Sequence, residues 1–340
     1  MTVTETSEVA SMRDYQPGAV ALRDTWVPVI QLSHIGRRPL RRAIHGHPVF
    51  VWREGGRLRV TEDSPLDIEQ GRGRHGELTG GTGDYPLEQR YGYAWVWFGN
   101  PDAASVDLIP MVPHIPVEGV PKRMQGGVIF DCSYELVCEN LLDLTHADFL
   151  HSELTGDPLA ENDEIMVSST SETVTMVREA FGRQPSKLQK RFIKDSSALQ
   201  HIRLTTLVHV RSGVCILHGD YNPGPSIRML HPCNPETKTR SRTPVSYNPK
   251  YIPWFAREMF PFTDHMVGKQ DNWALRPQNI HYVRHEDEKD LSSRFDRAGL
   301  RYRRVYQDLV ARQQKGDFSY LVDGDPGRDV TEEMGIDLDR

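Results

Sequence analysis

The sequence has few cysteines and no long apolar run. Its 340 residues contain only four cysteines, none of them in a CxxC pair, so a disulfide scaffold is excluded. No apolar run approaches the ~20 residues of a membrane-spanning helix. The N-terminus lacks the positive and then apolar regions of a secretory signal, which predicts a cytoplasmic protein without membrane segments.

An excess of positive charge is also missing. Lysine and arginine number 41 against 47 aspartates and glutamates, a formal net charge of −6. A chain without surplus cations does not have the charge to neutralise a nucleic-acid backbone, so nucleic acid is not an expected partner. Charged residues at 26% and apolar residues at 38% are instead typical of an ordinary globular protein.

The length predicts about two domains. β-Branched and aromatic stretches at 47–54 and 93–101 predict strands of a small β domain. A proline-containing connector leads to a second domain with a strand, a helical run at 135–150, more strands and an amphipathic helix at 287–314. The predicted divisions are a flexible arm, a small β domain, a larger domain and a solvated acidic tail, at 1–22, 23–115, 116–318 and 319–340.

The segment ENLLDLTHADFLH at 139–151 carries the clearest chemical signal. His146 and His151 are five residues apart, and Asp143 precedes the first by three. Two neutral imidazoles and one carboxylate form the facial site of non-haem Fe(II) oxygenases. Asp143 lies about one helical turn before His146, from where its side chain is expected to fix the second ring nitrogen.

Residue types alone leave open the alternative that the histidine pair arises by chance and binds no metal. In a chain with 14 histidines, a pair at this spacing arises by chance roughly half the time. Five residues on an ideal helix also turn through about 500°, which leaves the two rings roughly 140° apart. Binding of one ion by both histidines therefore requires a bulge or a helix end between them.

The segment resembles the iron-binding motif of the Rieske non-haem iron oxygenases, N-x2-D-x2-H-x4-H. The matching positions are Asn140, Asp143, His146 and His151, and 270–278 resembles the downstream [E/Q]-D-x6-Q motif. The resemblance runs from about residue 24 to 315 and is strongest for the branch of monooxygenases and O- or N-demethylases. It implies an α+β fold, with a small antiparallel β domain and a larger domain whose antiparallel sheet is flanked by helices.

The same resemblance implies the ligand set. His146, His151 and Asp271 are the expected ligands of Fe(II), and Asn140 is expected beside them. Asp264 and His265 are rival third ligands, but only Asp271 fits the downstream motif. In the resembled family the aspartate matching Asp143 bridges the iron ligand to the cluster of a neighbouring subunit.

The cluster ligands of the resembled family are missing. That family holds a [2Fe–2S] cluster with two cysteines and two histidines in the small domain. Here no cysteine precedes Cys132, and the first motif is replaced by Ser-Pro-Leu at 64–66. His45, His47 and His75 have no cysteine nearby in sequence. The expectation is a small domain that keeps its sheet and carries no [2Fe–2S] cluster.

Three functions remain open from the sequence. The first is an oxygenase component that uses dioxygen on a small, aromatic or heteroaromatic molecule and takes electrons from a Rieske-bearing paralogue or an external ferredoxin-type partner. The second is a non-catalytic subunit of a mixed oligomer. The third is an iron enzyme that needs no external electrons. The resemblance implies a homo- or hetero-trimer, or a multiple of it.

Overall fold

The structure is a computed structural model of the whole chain. It describes the following residues: 15–65, 85–120, 125–152, 163–187, 189–191, 193–195, 197–248, 254, 257–285, 290, 292–293 and 295–337. The glycine-rich stretch with His75, and the first part of the predicted arm, lie outside the described residues.

The described residues form fourteen strands, all paired antiparallel. They are β1 Thr25–Gln31, β2 Leu40–Ile44, β3 His47–Glu54, β4 Arg57–Thr61, β5 Leu87–Arg90, β6 Tyr93–Phe98, β7 Gln125–Phe130, β8 Glu164–Ser169, β9 Thr173–Arg183, β10 Gln200–His209, β11 Val214–Asn222, β12 Ser226–Pro232, β13 Asn234–Thr237 and β14 Arg240–Tyr247.

Four α-helices and five short 3₁₀ helices accompany these strands in the described part of the chain. The α-helices are α1 Tyr134–Leu142, α2 Ala147–Leu150, α3 Phe260–Arg284 and α4 Arg297–Gln314. The 3₁₀ helices are Leu32–His34, Pro101–Ala103, Val106–Leu108, Gln189–Arg191 and Val322–Gly324.

The N-terminal strands build two three-stranded sheets, ordered β1-β6-β5 and β2-β3-β4. The buried residues Val49, Val51 and Ile44 pack against Val96 and Phe98 between the sheets. The alternating apolar residues of β3 place valines on one face, as the pattern HPVFVWRE predicts. This small β domain matches the sequence prediction of its fold.

The remaining strands form one eight-stranded sheet. Its order is β13-β14-β12-β11-β10-β9-β8, with β7 paired to β14. The β10–β11 connection turns at Gly213, which has a φ of +66° and lies so close to Cys233 that a Cβ would meet its carbonyl oxygen at 2.8 Å. Glycine satisfies both requirements. The predicted α+β fold, with a small sheet domain and a larger sheet-rich domain, is confirmed.

The two long helices, α3 and α4, pack beside this sheet. α3 packs along β7, and a Cβ on Gly268 would meet Val128 at 2.5 Å, so this glycine permits the close approach. α4 buries Tyr302, Val305 and Tyr306 against α1 and β9. The predicted amphipathic face of α4 is therefore confirmed, although the helix begins at Arg297 rather than at residue 287.

Both predicted ends of the chain differ from expectation in their described parts. Tyr15 and Leu22 of the predicted flexible arm are buried in the core of the larger domain. Val330, Met334 and Ile336 of the predicted solvated tail are buried beside the tryptophans of β1 and β6. Those interpretations were wrong for 15–22 and 319–337, because a few apolar side chains anchor each segment. No helix among the described residues combines the length and the apolar character needed to cross a membrane.

Candidate metal centre and adjoining cavity

A break between two helices brings the paired histidines together. α1 ends at Leu142, and the backbone N–H of Asp143 donates to the carbonyl of Glu139 at 3.0 Å. His146 stands at the start of α2 and His151 directly after its end. The two rings lie 5.4 Å apart between centroids with an interplanar angle of 82°. The helix end required by the sequence argument is thus present.

Three side-chain atoms converge at this point. The Nε2 atoms of His146 and His151 lie 3.4 and 3.0 Å from Oδ1 of Asp271, which belongs to α3. The three side chains are 18%, 6% and 6% exposed, so the group is largely buried while His146 keeps some accessibility. The structure therefore brings together the three residues that the two motifs predict, across 120 residues of sequence.

The other nitrogen of each ring has its own partner. Nδ1–H of His151 donates to Oε1 of Gln270 at 2.7 Å, and Nδ1–H of His146 donates to the backbone carbonyl of Asp143. With both Nδ1 atoms donating, Nε2 is the nitrogen of each ring that faces Asp271. In the metal-free protein an Nε2–H group donates to the carboxylate, and loss of that proton gives the tautomer with which a metal ligand binds.

The prediction for the side chain of Asp143 was wrong in one respect. Its Oδ1 accepts hydrogen bonds from the backbone N–H and the hydroxyl of Thr145, at 2.9 and 2.5 Å. The carboxylate thereby stabilises the turn between α1 and α2, and the backbone carbonyl, not the carboxylate, holds the ring of His146. The short side chain of an aspartate favours this local turn geometry.

The charges within the group stabilise one another. Burial by itself raises the pKa of the Asp271 carboxyl, but His146 and His151 outweigh it and hold that pKa well below its usual range. Burial lowers the pKa of His146, and Asp271 followed by Asp143 raises it above its ordinary value. A carboxylate that stays ionised while buried against two imidazoles is the charge state that a divalent cation needs.

The spacing fits a metal ion. The three ligand atoms all lie within 4.8 Å of one another. Adjacent ligands about 2.1 Å from one ion stand about 3 Å apart when they are at right angles. Two of the three contacts, at 3.0 and 3.4 Å, approach that separation. Two histidines and one carboxylate on one face suit non-haem Fe(II) and leave further positions open.

A mostly apolar cavity of about 260 Å³ adjoins this group. All three candidate ligands line it, together with residues of β10, β11, β12 and β14 and one face of α3. Its apolar wall includes Phe130, Leu144, Leu204, Leu217, Ile227 and Met229. Because a cavity of roughly 150 Å³ already holds benzene, this one accommodates a single aromatic ring with substituents.

The other residues of the two motifs lie on a second cavity. Asn140, Asp143 and Gln278 line a cleft of about 230 Å³ between α1, α3 and α4. Asn140, which was expected beside the candidate ligands, is not among the residues that line their cavity. Of the rival third ligands, His265 is exposed, and Asp264 lines the apolar cavity without joining the ligand group.

Sequence reasoning missed the role of Gln270. The residue was noticed only as the first letter of the downstream motif, yet its side chain orients His151. The available signal was its position directly before Asp271 on the same helix, which places its side chain close to the ligand group. The backbone carbonyl of Asp143 gave no signal, because every residue carries one.

The histidines of the small domain serve other contacts. His45 stacks near Phe98 and Tyr134, with ring centroids at 5.3 and 5.6 Å, and burial lowers its pKa to about 3. Nδ1 of His47 lies 3.4 Å from the Glu62 carboxylate. No cysteine precedes Cys132 in the sequence, so residues 23–115 provide these imidazoles with no thiolate of their own.

Fold and site together define a class: an α+β protein with a candidate mononuclear metal centre of two histidines and one aspartate. Residues 130–312 match the family model of the vanillate O-demethylase oxygenase C-terminal domain. The chain belongs to this family, within the Rieske non-haem iron oxygenases.

Individual relatives agree with this assignment. The chain is 28% identical over 191 residues to a vanillate O-demethylase oxygenase subunit of Pseudomonas sp. (strain HR199 / DSM 7063), over 47% of this chain and 52% of that protein. It is 26% identical over 113 residues to the dicamba O-demethylase oxygenase component of Stenotrophomonas maltophilia, 33% of each. The alignments thus span about half or less of these relatives.

A solved structure supports the fold over a longer stretch. The crystal structure of dicamba monooxygenase bound to dicamba superposes with a TM-score of 0.71 at 18% identity. The match covers 87% of this chain and 100% of that one. The similarity therefore includes the small β domain as well as the larger domain.

Proposed function

We propose that this chain is an Fe(II)-dependent oxygenase component that monooxygenates or oxidatively demethylates a small aromatic or heteroaromatic molecule. The observation that carries the proposal is the convergence of His146, His151 and Asp271 beside an apolar cavity of about 260 Å³. The iron, when bound, supplies reductive activation of dioxygen for attack on a C–H bond. Named relatives act as demethylase or monooxygenase components, which supports the reaction class.

The residues of this chain would bind the metal, orient its ligands and shield the substrate from water. His146 and His151 would hold the metal through Nε2, with their rings fixed by the Asp143 carbonyl and by Gln270. Asp271 would contribute the negative charge. The apolar wall of the cavity would keep the substrate ring close to the metal and exclude bulk water.

Electrons would come from a separate partner. The sequence has no cysteine before Cys132, so the small domain lacks the thiolates of a [2Fe–2S] cluster. A Rieske-bearing paralogue or an external ferredoxin-type protein would supply them, and Asp143 would face that donor from the cleft that it shares with Asn140 and Gln278. The chain also has a similar fold, with a TM-score of 0.55 at 11% identity, to a protein of the reduced complex between oxygenase and ferredoxin in carbazole 1,9a-dioxygenase.

An exposed apolar surface supports assembly into a homo- or hetero-trimer. Phe262, Met266 and Trp273 lie along one stripe of α3 and are 66%, 51% and 76% exposed, and Phe149 of α2 is 73% exposed. Large apolar side chains clustered on a surface mark a protein–protein contact. We take this stripe as the contact with a neighbouring subunit of a cytoplasmic oligomer.

Anaerobic purification followed by iron and acid-labile sulfide assays tests the proposal. We expect near one iron per chain and no sulfide. A protein that stays iron-free after anaerobic reconstitution with ferrous iron would contradict the metal site, and stoichiometric sulfide would contradict the missing cluster. The His146→Ala variant serves as the control that removes one ligand.

The missing cysteines also favour a second candidate, a non-catalytic subunit of a mixed oligomer with a Rieske-bearing homologue. A mixed oligomer that keeps full turnover with His146→Ala in this chain would select it. An iron enzyme without external electrons is the third possibility, and single turnover with oxygen and substrate in the absence of any reductase would select it.

A further inference from the structure

The apolar cavity contains one acidic side chain apart from the candidate metal ligand. Asp264 precedes Asp271 by seven residues on α3, so the two side chains lie within about 20° of each other around the helix and about 10 Å apart along it. Both line the cavity. A molecule that contacts Asp264 therefore extends along the helix face toward the candidate metal ligands.

One oxygen of this carboxyl is available to a ligand. Asp264 is only 8% exposed, and the hydroxyl of Tyr247 hydrogen-bonds to the carboxyl. Oδ2 of Asp264 is buried and has no hydrogen-bond partner among the described residues. An acceptor buried without a partner is costly, so a donor that enters the cavity gains a favourable interaction here.

The rest of the lining is unfavourable to an anion. No lysine or arginine of the described chain lines the cavity. Among the described residues, Oγ1 of Thr206 and Nδ1 of His231 have no hydrogen-bond partner, and both residues line the cavity, as does His218. Burial lowers the pKa of His231 to about 4, so its imidazole is neutral at pH 7. Away from the candidate metal ligands, a carboxylate would therefore meet no lysine or arginine among the described lining residues and would face the acid of Asp264.

We propose that this cavity takes a small aromatic amine or alcohol whose N–H or O–H group donates to Asp264, and that it discriminates against aromatic carboxylates. Asp264 is then the residue that determines specificity. The inference rests on the proposed function only in taking this cavity as the substrate site. Burial raises the pKa of Asp264 to about 7, and a bound ammonium group would lower that pKa by stabilising the ionised form.

Three probes of one shape test the proposal: 4-methoxybenzylamine, 4-methoxybenzyl alcohol and 4-methoxybenzoate. Their dissociation constants are measured by calorimetry on the full-length protein treated with a chelator, so that the carboxylate cannot bind through a metal. We expect the amine and the alcohol to bind at least roughly tenfold more tightly than the benzoate, as a hydrogen bond to a charged group allows. Equal or tighter binding of the benzoate overturns the proposal, and so does a failure of all three to bind.

The Asp264→Asn variant isolates the acid. It is expected to weaken amine binding roughly tenfold or more while changing alcohol binding less than about threefold, because the amide retains an acceptor but no charge. Asp308→Asn, which removes an exposed carboxylate of α4, is the matched control and is expected to leave all three constants unchanged. An unchanged ratio of amine to alcohol affinity in Asp264→Asn overturns the role of the acid. The wild-type comparison decides the proposal if the variant does not fold, and neither arm depends on iron loading or turnover.

Discussion

Two groups of three potential metal ligands lie in the described part of this protein. The histidine group consists of His146, His151 and Asp271, and the cysteine group consists of Cys138, Cys215 and Cys233. In each group the ligand atoms lie within 4.8 Å of one another. Distance alone therefore does not separate them.

Their surroundings differ in every respect that metal binding requires. The histidine group adjoins a cavity, its rings are held through Nδ1, and its carboxylate has a lowered pKa. The cysteines are fully buried in the core, and burial raises their thiol pKa values well above the ordinary range. The sulfur atom of Cys215 lies 3.7 Å from that of Cys233 and 4.0 Å from that of Cys138, which is the separation of packed thiols. Protonated thiols in an apolar core are inert, which favours a structural role for the cysteine group.

The largest expected effect comes from the third ligand. Asp271→Ala removes the negative charge and leaves two imidazoles, so we expect bound iron to fall from near one to below about 0.1 per chain and turnover to become undetectable. Iron analysis after anaerobic reconstitution measures this. The matched control is Cys215→Ala, which truncates a member of the other group and should retain full iron. Iron retained by Asp271→Ala, or lost by Cys215→Ala, would reverse the comparison.

A smaller effect is expected from the residue that orients a ligand. Gln270→Ala removes the acceptor at 2.7 Å from Nδ1 of His151, so the ring is free to rotate. Loss of such a partner weakens metal affinity roughly 10- to 100-fold. Competition with a metal-sensitive dye measures the change, and Lys269→Ala, an exposed neighbour on the same helix, should leave the affinity unaltered. Equal affinities in the two variants would mean that the three ligands alone define the site.

The sequence predicted that His146, His151 and Asp271 belong to one group, and the structure brings their side chains together. The family resemblance picked out these three residues because each position of its two motifs needs a particular side chain. The support of His146 comes from a backbone carbonyl, which any residue at position 143 offers, so spacing carries no information about it. The apolar cavity is likewise assembled from five strands, β7, β10, β11, β12 and β14, and from α3, which are distant in sequence.

The C-terminal segment was misjudged for a related reason. Its many charges predict a solvated tail, whereas Val330, Met334 and Ile336 are buried and polar contacts such as that of Arg228 with the Asp337 carbonyl also hold it. These three residues have no regular period, and the surface that they cover is formed by β1, β6, β10 and β11. Such long-range contacts have no local signature. By contrast, β3 and the buried face of α4 follow regular periods and were predicted correctly.

The cysteine group should respond through stability rather than through metal. Cys215→Ser places a hydroxyl in a fully buried apolar position, which is expected to lower the free energy of unfolding by about 2–3 kcal/mol. Urea denaturation measures the loss, and the iron content of the folded variant should match that of the wild type. A thiolate-to-metal charge-transfer band in wild-type protein loaded with Co(II), absent from Cys215→Ser, would instead identify a second metal site.

The smallest effect concerns the acid nearest the cysteine group. Burial raises the pKa of Glu135 to about 7 and the nearby Glu139 adds to the increase, whereas the two imidazoles hold the pKa of Asp271 down. The folded protein thus holds a proton that the unfolded chain releases at lower pH, and stability falls as the pH rises from about 4.5 to 7. Glu135→Gln keeps an acceptor for the backbone N–H of Gly18. Its free energy of unfolding relative to that of the wild type should be higher at pH 8 than at pH 5, by on the order of 2 kcal/mol. Unfolding free energies of wild type and variant at both pH values test this, with the exposed Glu118→Gln as control. A pH-independent difference would mean that Glu135 stays ionised in the core, and the contrast between the two buried acids would disappear.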